Sequence, residues 1–139
     1  MNNKYKTTSH AKHLLQFHVI FVCKFRYKFL QNEKIDIFIK NKLIETAERN
    51  KCQIHFIESD KDHIHILIET IPNVNLSQLV NKLKQSTSYH VWKELPEEMS
   101  KYYWNNKHFC WTRGYFISSI GNVSQETLRD YILNQGKEE

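Results

Sequence analysis

The alternation of apolar and polar positions divides this chain into seven elements. From His13 to Cys23, Leu15, Phe17, Val19 and Phe21 alternate with Leu14, Gln16, His18, Ile20 and Val22; both faces are largely apolar, which predicts a central β-strand. Asn32 stands where it can cap a helix running to Asn50, with Glu33 and Asp36 in the first turn and Ile35, Phe38, Ile39, Leu43 and Ala47 as a buried stripe. Cys52 to Glu58 reads as a second strand with Cys52, Ile54 and Phe56 on one face, and Ser59-Asp60-Lys61 as a tight turn into a third strand, His63 to Thr70. These two strands should form an antiparallel hairpin. After Pro72-Asn73, a second helix runs from Leu76 to Trp92 and buries Leu76, Leu79, Val80 and Leu83. Gly114 to Ile120 predicts a fourth strand, with Tyr115 and Ile117 on one face. Gly121-Asn122 is a turn signal, and Ser124 caps a final helix in which Val123 and Leu128 sit at staple spacing.

This order, β-α-β-β-α-β and then one helix, is a split βαβ pattern. It predicts an α+β, ferredoxin-like domain spanning residues 1–139, with 1–9 flexible. A mainly antiparallel four-stranded sheet would carry two helices on one face and leave the other for the C-terminal helix and a ligand.

Composition narrows the function classes. With 40% hydrophobic and 25% charged residues the chain is an ordinary globular protein, and three Gly with two Pro leave little linker. The longest apolar run, Val19 to Cys23, is too short to span a bilayer, and the Met1-Asn-Asn-Lys start lacks a secretory hydrophobic region. Cys23, Cys52 and Cys110 form no Cys-x-x-Cys and predict reduced thiols in a cytoplasmic protein. A net charge of +5 favours a polyanionic partner.

The candidate chemistry centres on Asp62-His63-Ile64-His65-Ile66-Leu67-Ile68. Strand side chains alternate between faces, so Ile64, Ile66 and Ile68 share the core face. His63 and His65 then lie roughly 7 Å apart on the other, where two imidazoles can hold one metal ion. By composition alone, about half an occurrence of His-x-His is expected by chance in such a chain, so the pair needs company. Tyr131 and Gln135, at i and i+4, share one face of the last helix. Asp62 falls on the opposite strand face from the histidines, which suits a turn or supporting role, and the remaining six histidines, His18 and His108 included, read as structural. Lys24-Phe25-Arg26-Tyr27-Lys28-Phe29, if extended, lines three cations on one side and three aromatics on the other. Lys101 to Trp111 is likewise dense in aromatics interleaved with basic residues. Lys82 and Lys84 read as solvated helix lysines.

In these stretches, together with Val22-Cys23-Lys24-Phe25-Arg26, Ser77 to Lys84, Arg113-Gly114-Tyr115-Phe116, Gly121-Asn122-Val123 and Tyr131-x-x-x-Gln135, the chain resembles the single-tyrosine HUH transposases of the 200/605 class of bacterial insertion sequences. The resemblance runs from Leu14 to Gln135; Lys61 stands where many members have proline, and the stop at Glu139 favours the mobile-element type over the longer REP-associated relatives. It implies cleavage and rejoining of single-stranded DNA at element ends through a covalent 5′-phosphotyrosine, after recognition of hairpins. The enzyme would be a homodimer in which the tyrosine helix can dock on the partner, with no membrane and no nucleotide cofactor. The implied nucleophile is Tyr131. The implied ligands of Mg2+ or Mn2+ are His63, His65 and Gln135. Lys24, Arg26 and Arg113 sit in family-like contexts as DNA contacts, with Lys28, Lys82 and Lys84 behind them.

Three other readings compete. A non-catalytic, domesticated hairpin DNA- or RNA-binding protein would use the same sheet, although no RNP1-like run is present. A metal-dependent hydrolase would need a general base, and no carboxylate is evidently partnered with the histidine pair. Relaxases and replication initiators share the chemistry but are usually larger.

Overall fold

A computed structural model describes residues 6–8, 11–13, 15–103, 108–119 and 125–135. Its main sheet is built from β3 (Gln16–Val22), β4 (Gln53–Asp60), β5 (His63–Glu69) and β6 (Phe116–Ser119), in the order β4-β5-β3-β6 with every neighbouring pair antiparallel. That is the expected split βαβ arrangement, with the first long strand inside the sheet and flanked on both sides. Ahead of the main sheet, Lys6–Thr8 (β1) pairs with Ala11–His13 (β2) as a separate two-stranded ribbon, so His13, expected to open the first long strand, belongs to β2.

Helices α1 (Glu33–Arg49) and α2 (Leu76–Glu94) pack together on one face. Asn32 and Asn75 cap them, each side chain accepting the amide N–H three residues on (Ile35 N, 3.2 Å; Gln78 N, 3.1 Å). Val19 and Phe21 of β3 and Ile64, Ile66 and Ile68 of β5 meet Ile35, Ile39 and Leu43 of α1 and Leu79, Val80 and Leu83 of α2 in one dry core. A short helix α3 (Pro96–Ser100) follows, started by Pro96 at its first position. The chain closes with α4 (Gln125–Gln135), which carries Tyr131 and Gln135; the expected Gly121-Asn122 turn, the Ser124 cap, Val123 and Ile120 lie outside the described residues.

Two expectations are corrected in ways that shape the site. The second strand contains a bulge between Ile54 and Phe56: Ile54 pairs with Ile68, yet Phe56 pairs with Leu67 and Ile57 with Ile66. The extra residue, His55, flips the later side chains by one face. Ile54 and Ile57 therefore join the core, while Phe56, expected beside Ile54, stands on the opposite face against His65 (ring centroids 5.8 Å apart). Nor is Lys24 to Phe29 extended. Lys24–Arg26 forms a 3-10 turn with Phe25 at φ 52° and Arg26 at φ 53°. It is closed by Arg26 N–H to Cys23 O (2.7 Å) and Tyr27 N–H to Lys24 O (3.0 Å). Cations and aromatics consequently do not line two sides of a strand: Phe29 is fully buried and Phe25 is exposed.

Candidate active site

The face of the sheet opposite α1 and α2 presents His18 and Ile20 from β3, His63 and His65 from β5, and Phe116 from β6; Ile20 pairs with His65 on one side and Phe116 on the other. The period-2 expectation for the histidine pair holds. Ile64, Ile66 and Ile68 are buried beneath, and His63 and His65 line a cleft of about 770 Å³ on the free face.

Each imidazole has a distinct neighbour. Asp62 Oδ1 lies 3.0 Å from His63 Nδ1, and Asp62 Oδ2 accepts from Arg26 Nε at 2.9 Å. The hydrogen bond from His63, together with the Arg26 charge, holds the Asp62 carboxyl below its ordinary value despite burial. An ionised carboxylate only accepts, so His63 donates from Nδ1 and its Nε2 lone pair is left for another partner. Carboxylate behind imidazole is the arrangement that orients histidines holding metal ions. Asp62 thus has the supporting role expected of it, reached from the turn preceding β5.

His65 contacts His18, with His18 Nδ1 2.8 Å from His65 Nε2. Burial and then the neighbouring His18 and His63 lower the His65 pKa, which keeps it a neutral imidazole at neutral pH. His18 is among the histidines that the sequence predicts to be structural. The strand register brings it here, since His18 and His65 sit diagonally on adjacent strands, a relation that periodicity in either strand does not reveal. The β4 bulge brings two more unexpected residues: Glu58 pairs with His65 and Asp60 with His63, and both line the cleft. The spacing Ile54-x-x-Ile57, three rather than two, was the available signal.

Helix α4 lies over this same face, with Tyr131 and Gln135 set against β6 and the 112–114 segment. From α4 the histidine cleft is lined by Arg129, Ile132 and Leu133. Tyr131 packs on Phe116 (centroids 5.5 Å), and Gln135 Oε1 accepts from Thr112 Oγ1 at 3.1 Å. Gly114 makes this docking fit: a Cβ there would come 3.1 Å from Gln135 Oε1 and 3.5 Å from the Tyr131 hydroxyl. Tyr131 and Gln135 stand together against Phe116, Thr112 and Gly114, as i and i+4 allow, and His63 and His65 stand together in the cleft.

The basic candidates fall into different settings. Lys84 is not a solvated lysine: its Nζ donates to the carbonyls of Thr112 (2.8 Å), Arg113 (2.9 Å) and Gly114 (3.2 Å), clamping α2 to the segment on which α4 docks. Three ammonium donors on three carbonyls is a structural use. Lys84→Ala should therefore lower stability by about 2 kcal/mol in urea unfolding, because two part-buried carbonyls, of Thr112 and Gly114, lose their donor along with the exposed one of Arg113. Lys82 bonds Asn50 Oδ1 (3.0 Å), and Arg26 is held by Asp62. Lys24 lies over the Phe25 ring at 5.4 Å, and Lys28 and Arg113 are exposed.

A split βαβ sheet with a histidine pair on its free face, and a tyrosine-bearing helix laid across that face, defines an α+β domain of the ferredoxin-like kind. The family model described as "Transposase IS200 like" matches residues 11–135, and this chain belongs to that IS200/IS605 transposase family. It is 26% identical over 139 residues to the transposase for insertion sequence element IS200 of Salmonella typhimurium, covering 96% of this chain and 85% of that protein. It is 25% identical over 125 residues to the ISDra2 transposase TnpA of Deinococcus radiodurans, covering 90% and 86%. Among solved structures, a candidate transposase from Deinococcus radiodurans R1 superimposes with a TM-score of 0.82 at 20% identity, covering 94% of this chain and 97% of that one. A REP-associated tyrosine transposase bound to a REP hairpin gives a TM-score of 0.55 at 11% identity, covering 86% and 61%.

Proposed function

We propose that this transposase cleaves and rejoins single-stranded DNA at the ends of an insertion sequence through a covalent 5′-phosphotyrosine on Tyr131, after recognising DNA hairpins. The observation that carries this reading is the supported histidine pair on the same sheet face that receives the tyrosine helix. The solved REP-associated relative bound to a hairpin supports a hairpin partner.

The donor set fits a divalent cation such as Mg2+ or Mn2+. His63, oriented by Asp62, and neutral His65 would hold it, with Gln135 as the third donor once it has left Thr112. When bound there, the cation would act as a Lewis acid on the scissile phosphate. The chain's own residues do the rest. A phenol with an unperturbed pKa of about 10 is a far better oxyanion than an aliphatic alcohol. The Tyr131 hydroxyl gives up its proton to solvent as its oxygen attacks phosphorus, the P–O3′ bond breaks, and the leaving 3′ oxygen takes up a proton from solvent. The resulting phosphotyrosine conserves the ester bond, so a 3′-OH can displace Tyr131 and rejoin the strand without ATP.

To serve both roles, α4 must exchange its Thr112 contact for the histidine pair, within the subunit or across a homodimer. Thr112→Val removes the donor to Gln135 and should loosen the docked helix by about 1 kcal/mol, seen as roughly fivefold faster amide exchange in α4. The adduct yield should not fall, because the lost bond belongs only to the docked arrangement. Among the described residues no helix is long and apolar enough to cross a membrane, and Cys23, Cys52 and Cys110 are buried thiols outside any disulfide.

The test is an SDS-stable protein–DNA adduct formed with single-stranded oligonucleotides from the DNA flanking the gene, with Mn2+ or Mg2+. Adduct on one strand, abolished by EDTA, is the expected result. Tight hairpin binding with no adduct would instead favour a domesticated binding protein.

A further inference from the structure

We infer that the cleft between the Cys23–Tyr27 turn, α2 and the 108–113 segment is a seat for an unstacked base of the bound strand, an inference that rests on the single-stranded DNA reading above. The cleft is about 760 Å³ and separate from the histidine cleft. Four aromatic side chains are exposed among the described residues, and three of them, Phe25 (43%), Tyr89 (62%) and Phe109 (60%), gather in it. Isolated exposed aromatics need no explanation, but a cluster within one concavity marks a binding surface.

The surroundings select the occupant. Lys24 and Arg113 line the same cleft, so its charge complements a phosphate beside a base that stacks on the aromatic rings. Asn81, Gln85 and Ser88 also line it; at i, i+4 and i+7 they share one face of α2. Ser88 already accepts the Cys110 amide N–H (3.2 Å), whereas the amides of Asn81 and Gln85 bring donor and acceptor together as a base edge requires. Aromatic faces, cations and side-chain amides together fit a nucleobase better than a purely apolar guest.

The turn that forms one wall supplies an independent argument. Phe25 and Arg26 are consecutive non-glycine residues in the left-handed region, a conformation that L-residues adopt at a cost and that concentrates at functional sites. Here it turns the Phe25 ring out into the cleft and sends Arg26 back to Asp62, which holds His63. One turn therefore carries both a wall of the seat and the support of the histidine pair, so the seated base belongs to nucleotides close to the cut.

The test uses the full chain and single-stranded oligonucleotides from the flanking DNA, each carrying 2-aminopurine at one position. Stacking should quench the probe at one position or a short run of positions. Phe109→Ala and Tyr89→Ala should each abolish that quench and weaken binding about tenfold. Both side chains are exposed, so both variants should keep the wild-type melting curve, and Ile37→Ala, an exposed apolar change on α1 outside the cleft, should alter neither readout. Variants that bind within about twofold of wild type, or that still quench, would overturn the seat. The wild-type adduct is scored separately. Adduct formation with unaltered variant binding removes the seat and keeps strand transfer; a Phe109-dependent quench without adduct keeps the seat and removes strand transfer.

Discussion

Tyr131→Phe protein should form no SDS-stable adduct with a strand that the wild type cleaves, a loss of at least about 10³-fold, while its affinity for the uncleaved strand stays within about twofold. The change removes one oxygen and keeps the ring that packs on Phe116, so helix docking and fold should survive. Gel detection of the adduct and a binding titration on the same oligonucleotide separate chemistry from recognition. The structure also says what failure would mean. Tyr115 holds its hydroxyl 3.3 Å from Ser77 Oγ, away from the histidines, and is a poor substitute nucleophile. Strand cleavage that persisted without an adduct would point to an activated water, and Glu58, opposite His65, would become the candidate base. That carboxylate revives a hydrolase alternative that the linear sequence gave no reason to favour, and the Tyr131→Phe experiment decides it.

The second large effect is expected at the histidine pair. His63→Ala should abolish the adduct and weaken Mn2+ binding, read by electron paramagnetic resonance of the free ion, by more than the roughly 10- to 100-fold typical of a supporting residue. Asp62→Asn should fall within that lesser range. It keeps the shape of the side chain but loses the charge that fixes His63 as an Nδ1 donor, and it leaves Arg26 without its ion pair. The ranking is the test: equal losses in the two variants would make Asp62 a direct participant, and no loss of Mn2+ affinity in His63→Ala would take the histidine pair out of the metal site. Because the binding measurement needs no DNA, it stands apart from any defect in strand recognition.

What could be read in the linear chain was whatever depends on local period. Alternation placed Ile64, Ile66 and Ile68 beneath His63 and His65, and the helical repeat placed Tyr131 with Gln135, because strand and helix geometry put those side chains on common faces whatever surrounds them. The same logic yielded the Asn32 cap, the buried stripe of α1, that of α2 from Leu79 onward and, through the order of elements, the arrangement of the sheet, whereas the Asn75 cap was not foreseen and Leu76 stays outside the core. Five tertiary facts lay beyond it. The bulge at His55 carried Phe56, Glu58 and Asp60 to the histidine face; strand register brought His18 onto His65; the strained turn at Phe25 and Arg26 linked the aromatic-lined cleft beside α2 to Asp62; Lys84 found three carbonyls; and α4 docked with Tyr131 and Gln135 on Gly114 and Thr112. Each joins segments distant along the chain, where register, bulges and rotation about a helix axis are settled by the packing of the whole domain. The residue types and their local spacing were therefore set by the sequence itself, while which of them stand together was decided only when the sheet closed and the last helix came down on it.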